Sequence, residues 1–250
     1  LFLIIKSYKM KGLLKIVSCC IFVALISCKK ETEMPKVIYE NPSKTVAAPK
    51  ADTSKIEIAD LPIQMQGTNF LLFPVGDLNV NERNSKGSYD ASSTMNKTSF
   101  KISNYSDNEI TGYLRNIKFQ QIGQDSIKAL TDKAVLIQSV TYLKAIADKT
   151  KQQVLVYMLA DMDTNKDNKL DTNDIQSLYL SDISGARFTK ISTDFQEVID
   201  WNIIESKSRL YFRSIEDANK NGAFDKNDIV HYHFIDFTAK DWKVSDYNLN

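Results

Sequence analysis

Residues 157–182 read YMLADMDTNKDNKLDTNDIQSLYLSD, and residues 211–236 read YFRSIEDANKNGAFDKNDIVHYHFID. Aligned at an offset of 54 without a gap, they agree at nine of 26 positions. The pairs are Tyr157/Tyr211, Asp163/Asp217, Asn165/Asn219, Lys166/Lys220, Asp171/Asp225, Asn173/Asn227, Asp174/Asp228, Ile175/Ile229 and Asp182/Asp236. A repeat of fixed period signals units of one supersecondary design, stacked or arranged radially. In each copy an apolar run enters a loop crowded with Asp and Asn, and a second apolar run leaves it. Runs of about four to eight residues rich in Val, Ile, Tyr and Phe predict strands, so each copy is expected to be a hairpin with an oxygen-rich connection.

The same texture extends along the chain. FLLFPV (70–75), FKISNY (100–105), YLRNIKFQQI (113–122) and AVLIQSVTYL (134–143) precede the first copy's VLVYMLA (154–160) and SLYLSDI (177–183). VIDWNII (198–204), LYFRSI (210–215) and VHYHFIDF (230–237) follow. No long stretch keeps helical spacing, and only IKALTDK (127–133) offers a helical turn. The expected fold is all-β, with the β domain over 62–250 and repeat units at about 132–192 and 195–245. Each unit holds four strands, at 134–143, 154–160, 177–183 and 188–192, then at 198–204, 210–215, 230–237 and 242–245.

Both loops match the EF-hand-type calcium pattern, which places oxygens at positions 1, 3, 5, 9 and 12, a backbone carbonyl at 7 and a tight turn at 6. The first loop supplies Asp163, Asn165, Asp167, Asp171 and Asp174, with the Lys169 carbonyl at position 7. The second supplies Asp217, Asn219, Asn221, Asp225 and Asp228, with the Ala223 carbonyl. Position 6 is Asn168 or Gly222, the residue types that best tolerate left-handed backbone. Position 8 is apolar in both, Leu170 and Phe224, and is expected to pin the loop to a core. The flanks are strands, not the helices of a true EF-hand. The pattern implies Ca2+ at two sites. A degenerate relative follows FLLFPV, where Asp77, Asn79 and Asn81 lack the apolar position 8 and the last carboxylate; it is not counted as a site.

LYLSDISGARFTKIST (178–193) resembles the end of a WD40-like (TolB-type) β-propeller repeat, in which a strand is followed by Asp-x-x-Gly and the strand opening the next blade. Some such repeats carry an EF-like calcium loop in the preceding hairpin. The resemblance covers about 110 residues and implies a small or incomplete β-propeller of four-stranded units with calcium-clipped hairpins. A β-sandwich clipped in the same way is the alternative.

The leader has its own signature. From Met10, the expected start, it reads MKGLLKIVSCCIFVALISCKK: two lysines, an apolar stretch, then small and polar residues. That is a secretory signal layout, too short to span a membrane. Leu25-Ile26-Ser27-Cys28 resembles the lipobox of bacterial lipoproteins, which implies removal of residues 1–27, lipid on Cys28 and attachment at the cell envelope, most simply at the outer membrane. Residues 28–61, punctuated by Pro35, Pro42 and Pro49, read as a flexible tether, with an edge strand at Lys55–Ile58 as the other reading.

Composition then excludes several classes. Residues 1–28 hold four lysines and no acid; the other 28 basic and 31 acidic groups leave the remainder at −3, which does not suit nucleic acid. Cys19 and Cys20 would leave with the signal, so disulfides, thiolate metal sites and a Cys nucleophile are not expected. His231 and His233, the only histidines, are read as an ordinary solvent-facing strand pair, and Trp201 and Trp242 as core residues before a glycan platform. No Gly-rich phosphate loop and no Gly-x-Ser-x-Gly occurs. The functional expectation is a membrane-anchored, calcium-binding module or scaffold with a protein or glycan ligand. A carboxylate-dependent propeller-type hydrolase is the alternative.

Overall fold

The computed structural model describes residues 35–39, 55–79 and 103–249. The leader, Cys28 and most of the expected tether lie outside the described residues, as does Asn81. Among the described residues the chain is mostly β: thirteen strands in two antiparallel sheets, with no closed barrel. The strands are β1 (Lys55–Ala59), β2 (Phe70–Asn79), β3 (Ser103–Ser106), β4 (Glu109–Gln121), β5 (Ile127–Ala129), β6 (Leu136–Tyr142), β7 (Val154–Ala160), β8 (Ser177–Asp182), β9 (Thr189–Lys190), β10 (Gln196–Ile204), β11 (Arg209–Glu216), β12 (Ile229–Asp236) and β13 (Val244–Asp246). The first sheet runs β1-β2-β4-β6-β7-β8-β9, with β3 and β5 also paired to β4; the second runs β10-β11-β12-β13.

The strands β6–β9 and β10–β13 each form a four-stranded antiparallel meander. They differ at one edge. The outer edge of β6 is taken by β4, so the first meander continues into the N-terminal strands instead of standing as a separate unit. The thirteen-residue β4 manages this by changing partner along its length: Glu109–Leu114 pairs β6, while Leu114–Gln121 pairs β2. Register shifts at Thr111/Leu114 and Val75/Gly76 accompany the change; such irregularities bend a strand and add twist. The resulting curl brings the Phe119 ring of β4 over the β8–β9 turn, where a Cβ on Gly185 would lie 2.6 Å from it.

Burial explains why the two copies differ in apolar texture. β7 is covered on both faces. Leu155, Tyr157 and Leu159 enter one core with Leu72, Leu114, Ile117 and Phe119. Val154 and Val156 enter a second core with Leu178, Leu180, Val198, Leu210, Phe212, Ile235 and Phe237, which joins the two sheets. VLVYMLA is therefore apolar throughout, whereas β12, covered on one face, alternates.

Three expectations need correction. Within IKALTDK, Ile127–Ala129 forms strand β5, and the segment has no helical turn. The helix is α1 (Lys144–Thr150), which closes the second core with Ile146. Lys55–Ala59 is paired to β2 over its whole length and forms an edge strand there, in place of the expected tether.

Candidate metal centre

The first loop joins β7 to β8 and the second joins β11 to β12, at corresponding corners of the two meanders. Their backbones are wound by the same hydrogen bonds. The position-1 carboxylate accepts N–H groups from positions 5 and 6: Asp167 and Asn168 to Asp163 at 3.2 and 2.9 Å, Asn221 and Gly222 to Asp217 at 3.1 and 2.7 Å. Asn165 and Asn219 each accept from position 5, at 3.0 and 2.9 Å. Asp167 and Asn221 accept from position 7, both at 2.8 Å. Asp171 and Asp225 accept from position 11, at 2.8 and 2.7 Å. Asp174 and Asp228 accept from position 2 with one oxygen and from position 9 with the other. Position 6 is left-handed as expected, with φ 64 at Asn168 and 85 at Gly222. Position 4 is left-handed too, at Lys166 and Lys220, which the sequence did not announce.

Among the described residues no three acid, His or Cys side chains are grouped as a metal would require. The carboxylates are held instead on the loops' own N–H groups. Burial nevertheless gives two of them a deficit of counter-charge. Asp174 is 0% exposed and Asp217 2%, and neither has an ion-pair partner among the described residues. Burial pushes the Asp174 carboxyl up from its usual range, and the charge of Asp163 adds to this, against the opposing N–H groups of Asp171, Thr164 and Asn165. The Asn165 amide nitrogen is buried without a hydrogen-bond partner among the described residues. The apolar position 8 does not act as expected: Leu170 and Phe224 are only half-buried, and in the first loop Ile175 is the residue sunk in the interior.

A segment read as tether crosses both loops. Pro35–Tyr39, here the strap, places Val37 at 2% exposure. Lys36 N–H donates to the Gly222 carbonyl at 2.8 Å, and Ile38 N–H to the Thr164 carbonyl at 3.0 Å. The Thr164 hydroxyl returns a bond to the Lys36 carbonyl at 2.9 Å, and Lys36 Nζ pairs with Glu197 at 2.8 Å. Burial first, then the nearby charge of Asp217, push the Tyr39 hydroxyl's pKa up to about 12. The strap could have been noticed as Val37-Ile38-Tyr39, an apolar triplet inside a polar stretch.

The histidines are not a solvent-facing pair. His233 is buried, its Nδ1 2.6 Å from Asp246 and its Nε2 3.2 Å from the Ser214 hydroxyl. Serine, imidazole and carboxylate in that order resemble a nucleophile relay, but Ser214 is 0% exposed and its hydroxyl donates to Gln196 at 2.7 Å. A substrate has no route to it, and the chain of bonds serves as a satisfied polar tie between β10, β11, β12 and β13. Trp201 and Trp242 pack against the second core as expected, with the Arg187 guanidinium 3.8 Å from the Trp242 ring centre.

Two clefts and one aromatic face stand out among the described residues. A cleft of about 550 Å3 is lined by Ile63–Gly67 with Asp107 and Glu109; another of about 470 Å3 carries Lys151, Arg187 and Lys240 beside Asp182. On the outer face of the second sheet, Tyr211, Tyr232, Phe234 and Tyr247 form one cluster with ring centres 5.5–6.4 Å apart. Arg209 lies over Phe234 and pairs with Asp236, and Arg213 pairs with Asp200, so the face is aromatic and balanced in charge.

No family model and no curated protein matches the chain. Among solved structures it is similar to a protein described as "putative TolB" from Agrobacterium tumefaciens, at 10% identity and a TM-score of 0.20, over 76% of this chain and 80% of that one. At that score the likeness carries no argument about fold or function.

Proposed function

We propose that the protein is a lipid-anchored binding module of the bacterial cell envelope whose two repeat loops each hold a calcium ion. The observation carrying this reading is the twice-built loop: two oxygen-rich connections with one hydrogen-bond framework, each burying a carboxylate that has no counter-ion among the described residues. A hard cation takes oxygen ligands of this kind, here five side chains and the Lys169 or Ala223 carbonyl in each loop. When bound, it would supply charge neutralisation and rigidity, not chemistry. The two meanders packed through a shared core fit the reading of an incomplete propeller of four-stranded units. The anchor rests on Leu25-Ile26-Ser27-Cys28, and the ligand face of choice is the aromatic cluster around Tyr211 and Tyr247, suited to a protein or glycan partner.

Melting in millimolar calcium and in chelator is the test. A filled site at 100 times its dissociation constant adds about 2.7 kcal/mol, or about 5–10 °C for a domain of this size. The first loop has four carboxylates and the second three, so the first should fill at lower calcium. Asp163→Ala should remove the first loop's share of the shift and Asp217→Ala the second's. A wild-type melting midpoint equal in calcium and in chelator would return both loops to polar turns. A second reading, the carboxylate-dependent hydrolase, is favoured by the cleft bearing Asp107 and Glu109. Glycan and peptide substrates screened against wild type and Glu109→Gln would decide it; activity equal in both removes these carboxylates from consideration.

A further inference from the structure

We infer that the strap Pro35–Tyr39 is a calcium-dependent latch, docked when the two loops are ordered and released when they are not. The inference rests on the calcium reading of the loops and adds to it a moving part. The strap has few anchors of its own. Its backbone bonds go to the Gly222 and Thr164 carbonyls, which are position 6 of the second loop and position 2 of the first. Its tyrosine ring lies 6.0 Å from the Lys220 ammonium, position 4 of the second loop. Gly222 is moulded to it: a Cβ there would lie 2.6 Å from the Val37 carbonyl oxygen and 2.9 Å from Pro35. Apart from the Lys36–Glu197 ion pair to β10, a segment so attached keeps its docking surface only while both loops hold this one conformation.

Each loop keeps it against the mutual repulsion of its carboxylates, which a divalent cation removes. Calcium therefore favours the docked strap. By linkage the docked strap must raise calcium affinity by the same factor. For a chain anchored at Cys28 the consequence is mechanical. Six residues lie between Cys28 and a docked strap, a fully extended limit of about 25 Å from Cys28 to Pro35. With the strap released, the fully extended limit is instead that of the chain from Cys28 to Lys55, about 90 Å. The latch sets how far the domain can stand from its membrane.

The test is trypsin cleavage of the full chain after Lys36, followed by mass spectrometry as the appearance of a new N-terminus at Val37. Cleavage after Lys133, in an exposed turn remote in sequence from both loops, serves as reference. Calcium binding is measured separately by titration calorimetry. Calcium should slow cleavage after Lys36 relative to Lys133 by about tenfold, within the usual coupling range of about 5- to 150-fold. Val37→Asp, which alters no loop residue, should abolish that slowing and weaken calcium binding by a matching factor. If calcium binds but cleavage after Lys36 runs equally fast in chelator, the latch is overturned and the calcium loops stand. If calorimetry detects no calcium binding, both fall together.

Discussion

Asp161 sits at the mouth of the first loop, one residue beyond β7, and three side chains from β8 and β9 converge on it. Its carboxylate accepts Tyr179 at 2.7 Å, Lys190 at 2.9 Å and Ser177 at 3.1 Å. Burial alone would raise its pKa, but the bonds from Tyr179, Lys190 and Ser177 outweigh it and hold the carboxyl below its ordinary range. A depressed carboxyl contributes stability above its unfolded pKa of about 3.9 and loses it as pH falls through the folded value. Asp161→Asn is therefore expected to cost about 2–3 kcal/mol at pH 7, the scale of charged hydrogen bonds at a partly buried site. The penalty should shrink below about pH 4, as wild type loses the same charge. Urea unfolding of both proteins at pH 7 and pH 3 checks this; a penalty equal at the two pH values would assign the cost to shape. Nothing around residue 161 in the sequence marks it, because its partners come from β8 and β9, up to 29 residues away.

At the scale of elements, the β8–β9 turn shows what the Asp-x-x-Gly pattern buries. Gly185 N–H closes the turn on the Asp182 carbonyl at 2.8 Å, with φ at 78, and Asp182 holds Arg187 through both carboxylate oxygens. Gly185→Ala meets two obstacles, left-handed backbone and the Phe119 ring. Overpacking costs about 1–3 kcal/mol and a left-handed alanine about 1–2 more. Combining it with Phe119→Ala should recover the overpacking part alone, a non-additivity that denaturation of the single and double variants would reveal. The glycine was legible as a turn residue, but its contact with β4 was not. That contact exists only because β4 changes partner midway, a tertiary event without a local signal. The strands were legible for the opposite reason: their apolar runs are forced by burial against immediate neighbours. The seven-residue α1 is too short to display helical period, and it was missed. In the loops, position 6 was read correctly from residue type, whereas position 4 carries lysine, which nothing marks as left-handed. The strap was hidden by its composition, since one buried valine in a polar stretch is a weak signal.

For the molecule as a whole, the decisive structure is the second core, which neither sheet owns. Val154, Val156, Leu178 and Leu180 come from the first meander, and Val198, Leu210, Phe212, Ile235 and Phe237 come from the second or its end. Backbone and side-chain bonds cross the same boundary: Val198 N–H to the Gln176 carbonyl at 3.0 Å, and Gln152 to the Phe237 carbonyl at 2.6 Å. The second sheet has one buried face and no other core to use, so it cannot lose this interface and remain folded. The two sheets are thus expected to unfold in one cooperative transition despite their internal repeat. Phe212→Ala tests this, because the residue is buried and faces the boundary. Truncating a core phenylalanine costs about 3–5 kcal/mol, which at about 2–4 °C per kcal/mol lowers the melting midpoint by about 6–20 °C. The near-ultraviolet signal of Trp201 and Trp242, beside the second core, should fall together with that of Tyr157, buried in the first. Calorimetric and van't Hoff enthalpies should agree. Two resolved transitions, with only the tryptophan signal moved by Phe212→Ala, would mean that each meander folds on its own.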